Sequence, residues 1–173
     1  MIDPACFSYA TLPQWQKDII FRYPDIYLTP NTAIDSHYRD DNGTFCNLRM
    51  GFEFEQGWEK LADEFSSVAD QLVKRLHQSG LQPNAFVRAY VFKEKFGKLQ
   101  WQGSHNLVEP FKALCNGYAA QLSVKSVHVC ELTGQPGALR NIQGMMKTLC
   151  DQEYQRLLDK YARPRSGAKR RKV

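Results

Sequence analysis

The sequence predicts an α+β fold, with three to four helices packed on a small antiparallel sheet or hairpin and a degenerate zinc-knuckle-like segment near the C-terminus. Three observations predict it. Trp58, Leu61, Phe65, Val68, Leu72 and Leu76 recur at helical spacing, the pattern of a helix that buries one face. The period then changes to two in NAFVRAYVFKEKFGKLQWQG, as in half-buried strands joined by a hairpin. Finally, HVCELTGQPGALR and TLCDQE carry the turn residues of a zinc finger without its full ligand set.

Taken in order, LPQWQKDIIFRYP reads as a short helix. Pro13 suits its first turn, Trp15, Ile19 and Tyr23 share a face, and Pro24 ends it. Residues 28–50 are polar and turn-rich, with RDDNGT the strongest hairpin signal. CNLRMGFEFEQGW alternates around Phe52 and Phe54 and is expected to hold a short strand. The long helix follows and stops at Gly80, where a left-handed cap is expected. Its opposite face, with Glu59, Asp63, Asp70 and Lys74, reads as solvated. In the next strand, Val87, Ala89 and Val91 alternate with Phe86, Arg88, Tyr90 and Phe92, and Leu99 and Trp101 share one side of its partner. The KEKFGK link with Gly97 turns the hairpin. A further helix is expected from near Ser104, with Leu107, Phe111, Leu114, Tyr118 and Leu122 on one face, and a last one over DQEYQRLLDKYA.

Length and apolar content suit one domain over residues 1–162, followed by a disordered basic tail over 163–173. No apolar run is long enough to span a membrane, and MIDPACFSYATLPQWQ lacks the basic and apolar regions of a secretory signal. A cytoplasmic protein without membrane contact is therefore expected. Five irregularly spaced cysteines argue for reduced thiols rather than a disulfide framework. The net charge of +5 resides in the tail, where Arg163, Arg165, Lys169, Arg170, Arg171 and Lys172 stand within the last eleven residues. The body is near neutral, which does not suit a duplex-binding domain.

Structural zinc asks for four thiolate or imidazole donors, commonly as two pairs with two intervening residues. Here the pairs are Cys130 with Thr133 and Cys150 with Glu153, with His128 a possible substitute. A threonine hydroxyl is a poor ligand and a carboxylate a harder one. No cofactor is therefore expected, with weakly held zinc as the alternative. The loop is expected to keep its shape through its QPG turn and through packing of Leu139, Met145, Met146 and Leu149, with Cys130 and Cys150 as neighbours. No enzyme chemistry is expected. His128 and Cys130 lack an orienting acid, and Asp35, Asp40, Asp41, Glu53 and Glu55 around His37 read as surface charge. Glu94 and Lys95 read as polar turn tips, and Cys46 and Cys115 as small core residues.

The ordered set GFEFEQGWEKLADEF, VFKEKFGKLQW, HVCELTGQPGALR and MKTLCDQE resembles an uncharacterised family of small bacterial and phage proteins. That family carries a G-x-G-W segment, a KEK[FY]GxLR hairpin and a CxxCGxPG…TLCxxH finger. The likeness covers approximately residues 45–155. Thr133 stands in place of the second Cys, Glu153 in place of the terminal His and Gln100 in place of the hairpin Arg. The resemblance implies this order of elements and a mobile-element or inter-bacterial context, and it implies no reaction.

The function these observations favour is a non-catalytic protein-binding protein, most sharply an immunity or anti-defence inhibitor of a bacterial or phage effector such as a toxin or nuclease. His37, Tyr38, Phe96 and Trp101 are the candidate contacts to a protein partner of unknown identity, because rigid aromatic side chains dominate interface energetics. The alternative is a nucleic-acid-associated accessory protein using Lys93, Lys95 and Lys98 of the hairpin together with the six tail cations.

Overall fold

The computed structural model describes residues 11–30, 44–46, 48 and 50–162. His37, Tyr38, all of the RDDNGT turn except Thr44, and the basic tail from Arg163 lie outside these residues. Within them the chain folds as α+β. The first predicted helix is two helices, α1 over Gln14–Arg22 and α2 over Pro24–Tyr27. Pro24 does end α1, but its fixed φ and missing N–H also suit the first turn of a new helix. The chain therefore bends at Tyr23 (φ −126°, ψ 61°) and restarts. Strand β1 (Leu28–Pro30) then pairs antiparallel with β2 (Thr44–Cys46).

Strand β3 (Phe52–Glu53) leads through a 3-10 turn over Gln56–Trp58 into α3, Glu59–Gln78. Leu61, Phe65, Leu72 and Leu76 of the predicted stripe are buried, as are Ala62, Ala69 and Val73 beside it, while Val68 is half-buried. Gly80 takes the left-handed conformation past the helix end, φ +70°. The solvated face needs one correction. Asp70 is buried, because α1 and α2 cover that side of α3, and Lys74 one turn on pairs with it at 2.8 Å.

Strands β4 (Val87–Lys95) and β5 (Lys98–His105) form the hairpin, and β3 adds to β4 in parallel, so the sheet is mixed rather than wholly antiparallel. A β-bulge between Ala89 and Val91 leaves Tyr90 without a partner across the strand. One extra residue reverses the alternation. Phe92, not Val91, therefore joins Val87 and Ala89 in the core. Phe92 meets Phe52 at 5.6 Å and Phe65 at 5.6 Å between ring centres. Trp101 stacks on Phe65 at 5.1 Å.

Helix α4 spans Phe111–Ser126, so Ser104 belongs to β5 and the helix starts seven residues later than expected. Its inward residues are Phe111, Cys115, Tyr118 and Leu122, and Leu114 is exposed. The finger region contains a hairpin that the sequence did not suggest, β6 (Ala138–Ile142) with β7 (Met145–Leu149). Of the four residues expected to pack there, Leu149 is buried and Met146 half-buried, but Leu139 and Met145 are exposed. Strand alternation gives one face to Ile142 and Leu149, which form a second small core with Cys130. Helix α5, Asp151–Ala162, closes it through Tyr154 and Leu157. Among the described residues no helix is long and apolar enough to cross a membrane.

Candidate functional site

Three segments far apart in sequence meet at the finger. The first is the turn before α3. Trp58 is fully buried and its Nε1–H donates to the Val129 carbonyl at 2.7 Å. Gly57 lies flat against the finger backbone, where a Cβ would collide with the Cys130 and Glu131 carbonyls. The second is the tip of the β4–β5 hairpin. The Thr148 hydroxyl donates to the Gly97 carbonyl at 2.6 Å, and a Cβ on Gly97 would collide with Leu139. The third is the finger itself, shaped by Cys130 N–H to Gln135 C=O at 2.7 Å and Gly134 N–H to Cys130 C=O at 2.9 Å.

At the centre of this junction is a charge cluster that sequence reasoning missed. Lys147 Nζ lies 2.9 Å from Glu94 Oε2 and 2.9 Å from Glu131 Oε2. The Glu131 side chain is only 2% exposed. Its carboxylate also accepts the Glu55 backbone N–H. Burial pushes the Glu131 carboxyl above its ordinary range, although Lys147 opposes the shift. Burial alone would lower the Lys147 ammonium, but its two carboxylate partners raise it overall. Glu94 is thus no free turn tip. One oxygen takes Lys147 and the other accepts the Gly97 N–H at 2.6 Å. No local signal in the sequence could have joined three charges separated by 16 residues or more.

The expected neighbours Cys130 and Cys150 do come together. The Thr133 hydroxyl hydrogen-bonds the Cys130 sulfur and sits 3.8 Å from the Cys150 sulfur. Backbone N–H groups of Cys150, Thr133 and Leu132 also point at the Cys130 sulfur. Burial raises this thiol, but the converging donors outweigh burial and hold it below its ordinary value. The remaining candidate ligands stand apart. Glu153 accepts Arg156 Nε at 2.6 Å, and His128 is exposed and engaged through its backbone. Among the described residues no three His, Cys, Asp or Glu side chains group to hold a metal. Two thiols and a neutral hydroxyl fall short of the four thiolate or imidazole donors of a structural zinc site.

The hairpin tip carries the remaining candidates. Phe96 and Gly97 both have positive φ, 54° and 73°, the geometry of a type I′ turn. Phe96 is 70% exposed, with Lys95 Nζ 5.6 Å from its ring centre and exposed Leu139 beside the neighbouring Gly97. Lys93, Lys95 and Lys98 lie on the outward face of the strands, with Glu53 of β3 opposite Lys93, and among the described residues none is in an ion pair. Trp101 is not an exposed anchor. It shares the inward face with Leu99, as its spacing from Leu99 implied, and packs on the core. No family model, curated protein or solved structure matches the chain.

Proposed function

We propose that this chain is a non-catalytic binding protein of the cytoplasm that docks on another protein, in its sharpest form an immunity or anti-defence inhibitor of a bacterial or phage effector such as a toxin or nuclease. One observation carries the reading. Phe96 occupies a left-handed turn position while remaining 70% exposed. A bulky aromatic residue is disfavoured there by about 1–3 kcal/mol, and type I′ turns favour Asn or Asp before Gly. The exposed ring recovers little for the fold beyond its contact with Lys95. Strain and exposure together are what a docking anchor costs its free protein, and aromatic anchors are the residues that dominate protein interfaces. The charge cluster behind the tip supports the reading further, because it holds the turn rigid and so lowers the ordering cost of binding. Photo-crosslinking from Phe96→p-benzoylphenylalanine in native lysate tests it. A stoichiometric protein adduct, lost when untagged native chain competes, is the expected result. Adducts spread over many proteins at low yield would overturn it.

The second reading, a nucleic-acid-associated accessory protein, is favoured by Lys93, Lys95 and Lys98, which share one strand face on which Glu53 of β3, opposite Lys93, is the neighbouring acid in the sheet register. Under it the full chain binds a single-stranded oligonucleotide with affinity falling steeply as salt rises. Lys→Gln changes at the three hairpin positions then lower the salt slope, as does neutralising Arg163, Arg165, Lys169, Arg170, Arg171 and Lys172. An oligonucleotide affinity that ignores both sets of changes counts against it.

A further inference from the structure

The turn at Cys130 and the segment entering α5 bring two cysteines together. We propose that Cys130 and Cys150 form a dithiol modification site that a hydroperoxide converts to a disulfide. Three contacts carry this. The Thr133 hydroxyl lies 3.8 Å from the Cys150 sulfur, the Glu131 N–H beside Cys130 donates to the carbonyl of Thr148, two residues before Cys150, at 2.9 Å, and Cys130 and Cys150 pack in one small apolar cluster. A disulfide needs two cysteines side by side, with Cα atoms about 4.4–6.8 Å apart, and these contacts bring the two cysteine segments together.

Exposure assigns the order of events. Cys150 is half-buried and Cys130 fully buried. Cys150 is therefore the thiol that a small oxidant reaches first, from the side on which it meets solvent. Cys150 loses its proton to solvent and its sulfur attacks one peroxide oxygen. The S–O bond forms as the O–O bond breaks, and the departing hydroxide takes a proton and leaves as water. Cys130 then loses its proton and attacks the sulfenic sulfur of Cys150. The S–S bond forms, the S–O bond breaks, and the second hydroxide also leaves as water. Two thiols lose two electrons in total, and one peroxide is reduced to two waters. The Cys130 sulfur suits the second role, because it is fully buried, out of reach of bulk oxidant, and packed in the same cluster as Cys150. Cys46 and Cys115 lie in β2 and α4 against the main core, away from this cluster.

Full-length reduced protein treated with equimolar hydrogen peroxide, alkylated and digested without reductant provides the test. The expected product is a Cys130–Cys150 linked peptide, with the intact chain lighter by two hydrogens and the change reversed by dithiothreitol. In Cys130→Ser the reaction stops halfway and Cys150 takes up dimedone. The double change Cys46→Ser, Cys115→Ser leaves the linked peptide in place. Recovery of Cys130 and Cys150 as alkylated free thiols, a bridge from either of them to another cysteine, or dimedone on Cys150 of the unsubstituted chain overturns the proposal.

Discussion

Replacing Lys147 by Met removes the one cation between two inward carboxylates and keeps most of the side-chain volume. Glu131, 2% exposed, and Glu94, 18% exposed, would then face each other without a counter-charge. Breaking a buried ion pair from one side costs about 3–5 kcal/mol. The Lys147 side chain is 33% exposed, so solvent screens part of the interaction, and a loss of about 2–3 kcal/mol is the reasoned figure. The deficit should also depend on pH. The Glu131 carboxyl titrates above its ordinary range in the folded chain, so the folded state holds a proton more tightly than the unfolded one does. The charged form therefore costs stability above the folded value, and that cost is relieved as pH falls toward the ordinary Glu range. Without Lys147 the folded value climbs further, so the variant is worst near neutrality and recovers toward about pH 5. Urea unfolding followed by circular dichroism at both pH values measures this, with Lys147→Met combined with Glu131→Gln expected to regain part of the loss. A deficit under about 1 kcal/mol at neutral pH, or one equal at both pH values, would refute the reasoning.

Three further outcomes are expected. Phe96→Asn relieves the left-handed strain and raises stability by about 1 kcal/mol, while partner capture falls at least tenfold; a variant that loses stability, or captures as well as the native chain, contradicts the anchor role. Gly57→Ala drives a methyl group into the Cys130 and Glu131 carbonyls and should cost about 1–3 kcal/mol by overpacking, read as a lower urea midpoint with an unchanged slope. The change Thr133→Cys puts a third thiol beside Cys150, in the turn that begins at Cys130; cobalt(II) with water as the fourth ligand then gives thiolate charge-transfer and ligand-field bands, and their absence would show that the three positions do not share ligand geometry.

The elements that could be read from the sequence are those whose cause is local. Helix α3 followed from a stripe of apolar residues, helix α5 from the run DQEYQRLLDKYA, and the β4–β5 turn from Gly97 between alternating strands. The closeness of Cys130 and Cys150 followed from finger-like spacing and turn residues. The errors occur where a neighbour decides. Alternation alone put Val91 inward, and the bulge at Tyr90, set by pairing with β5, put Phe92 there instead. Asp70 read as solvated until α1 and α2 packed beside it. Leu139 and Met145 read as packing residues before the β6–β7 pairing was known. Glu94 read as a turn tip because its partners, Glu131 and Lys147, are remote in the chain.

Hydrophobic period, turn chemistry and composition act within a few residues, and they were enough to determine the α+β class, the order of the principal helices and hairpin and the confinement of excess positive charge to the last eleven residues. Which face of each strand is buried, which exposed aromatic bears backbone strain, and how Lys147 joins the hairpin to the finger were decided only by tertiary structure. These depend on contacts between segments tens of residues apart, and burial and charge pairing follow from distance in space rather than along the chain.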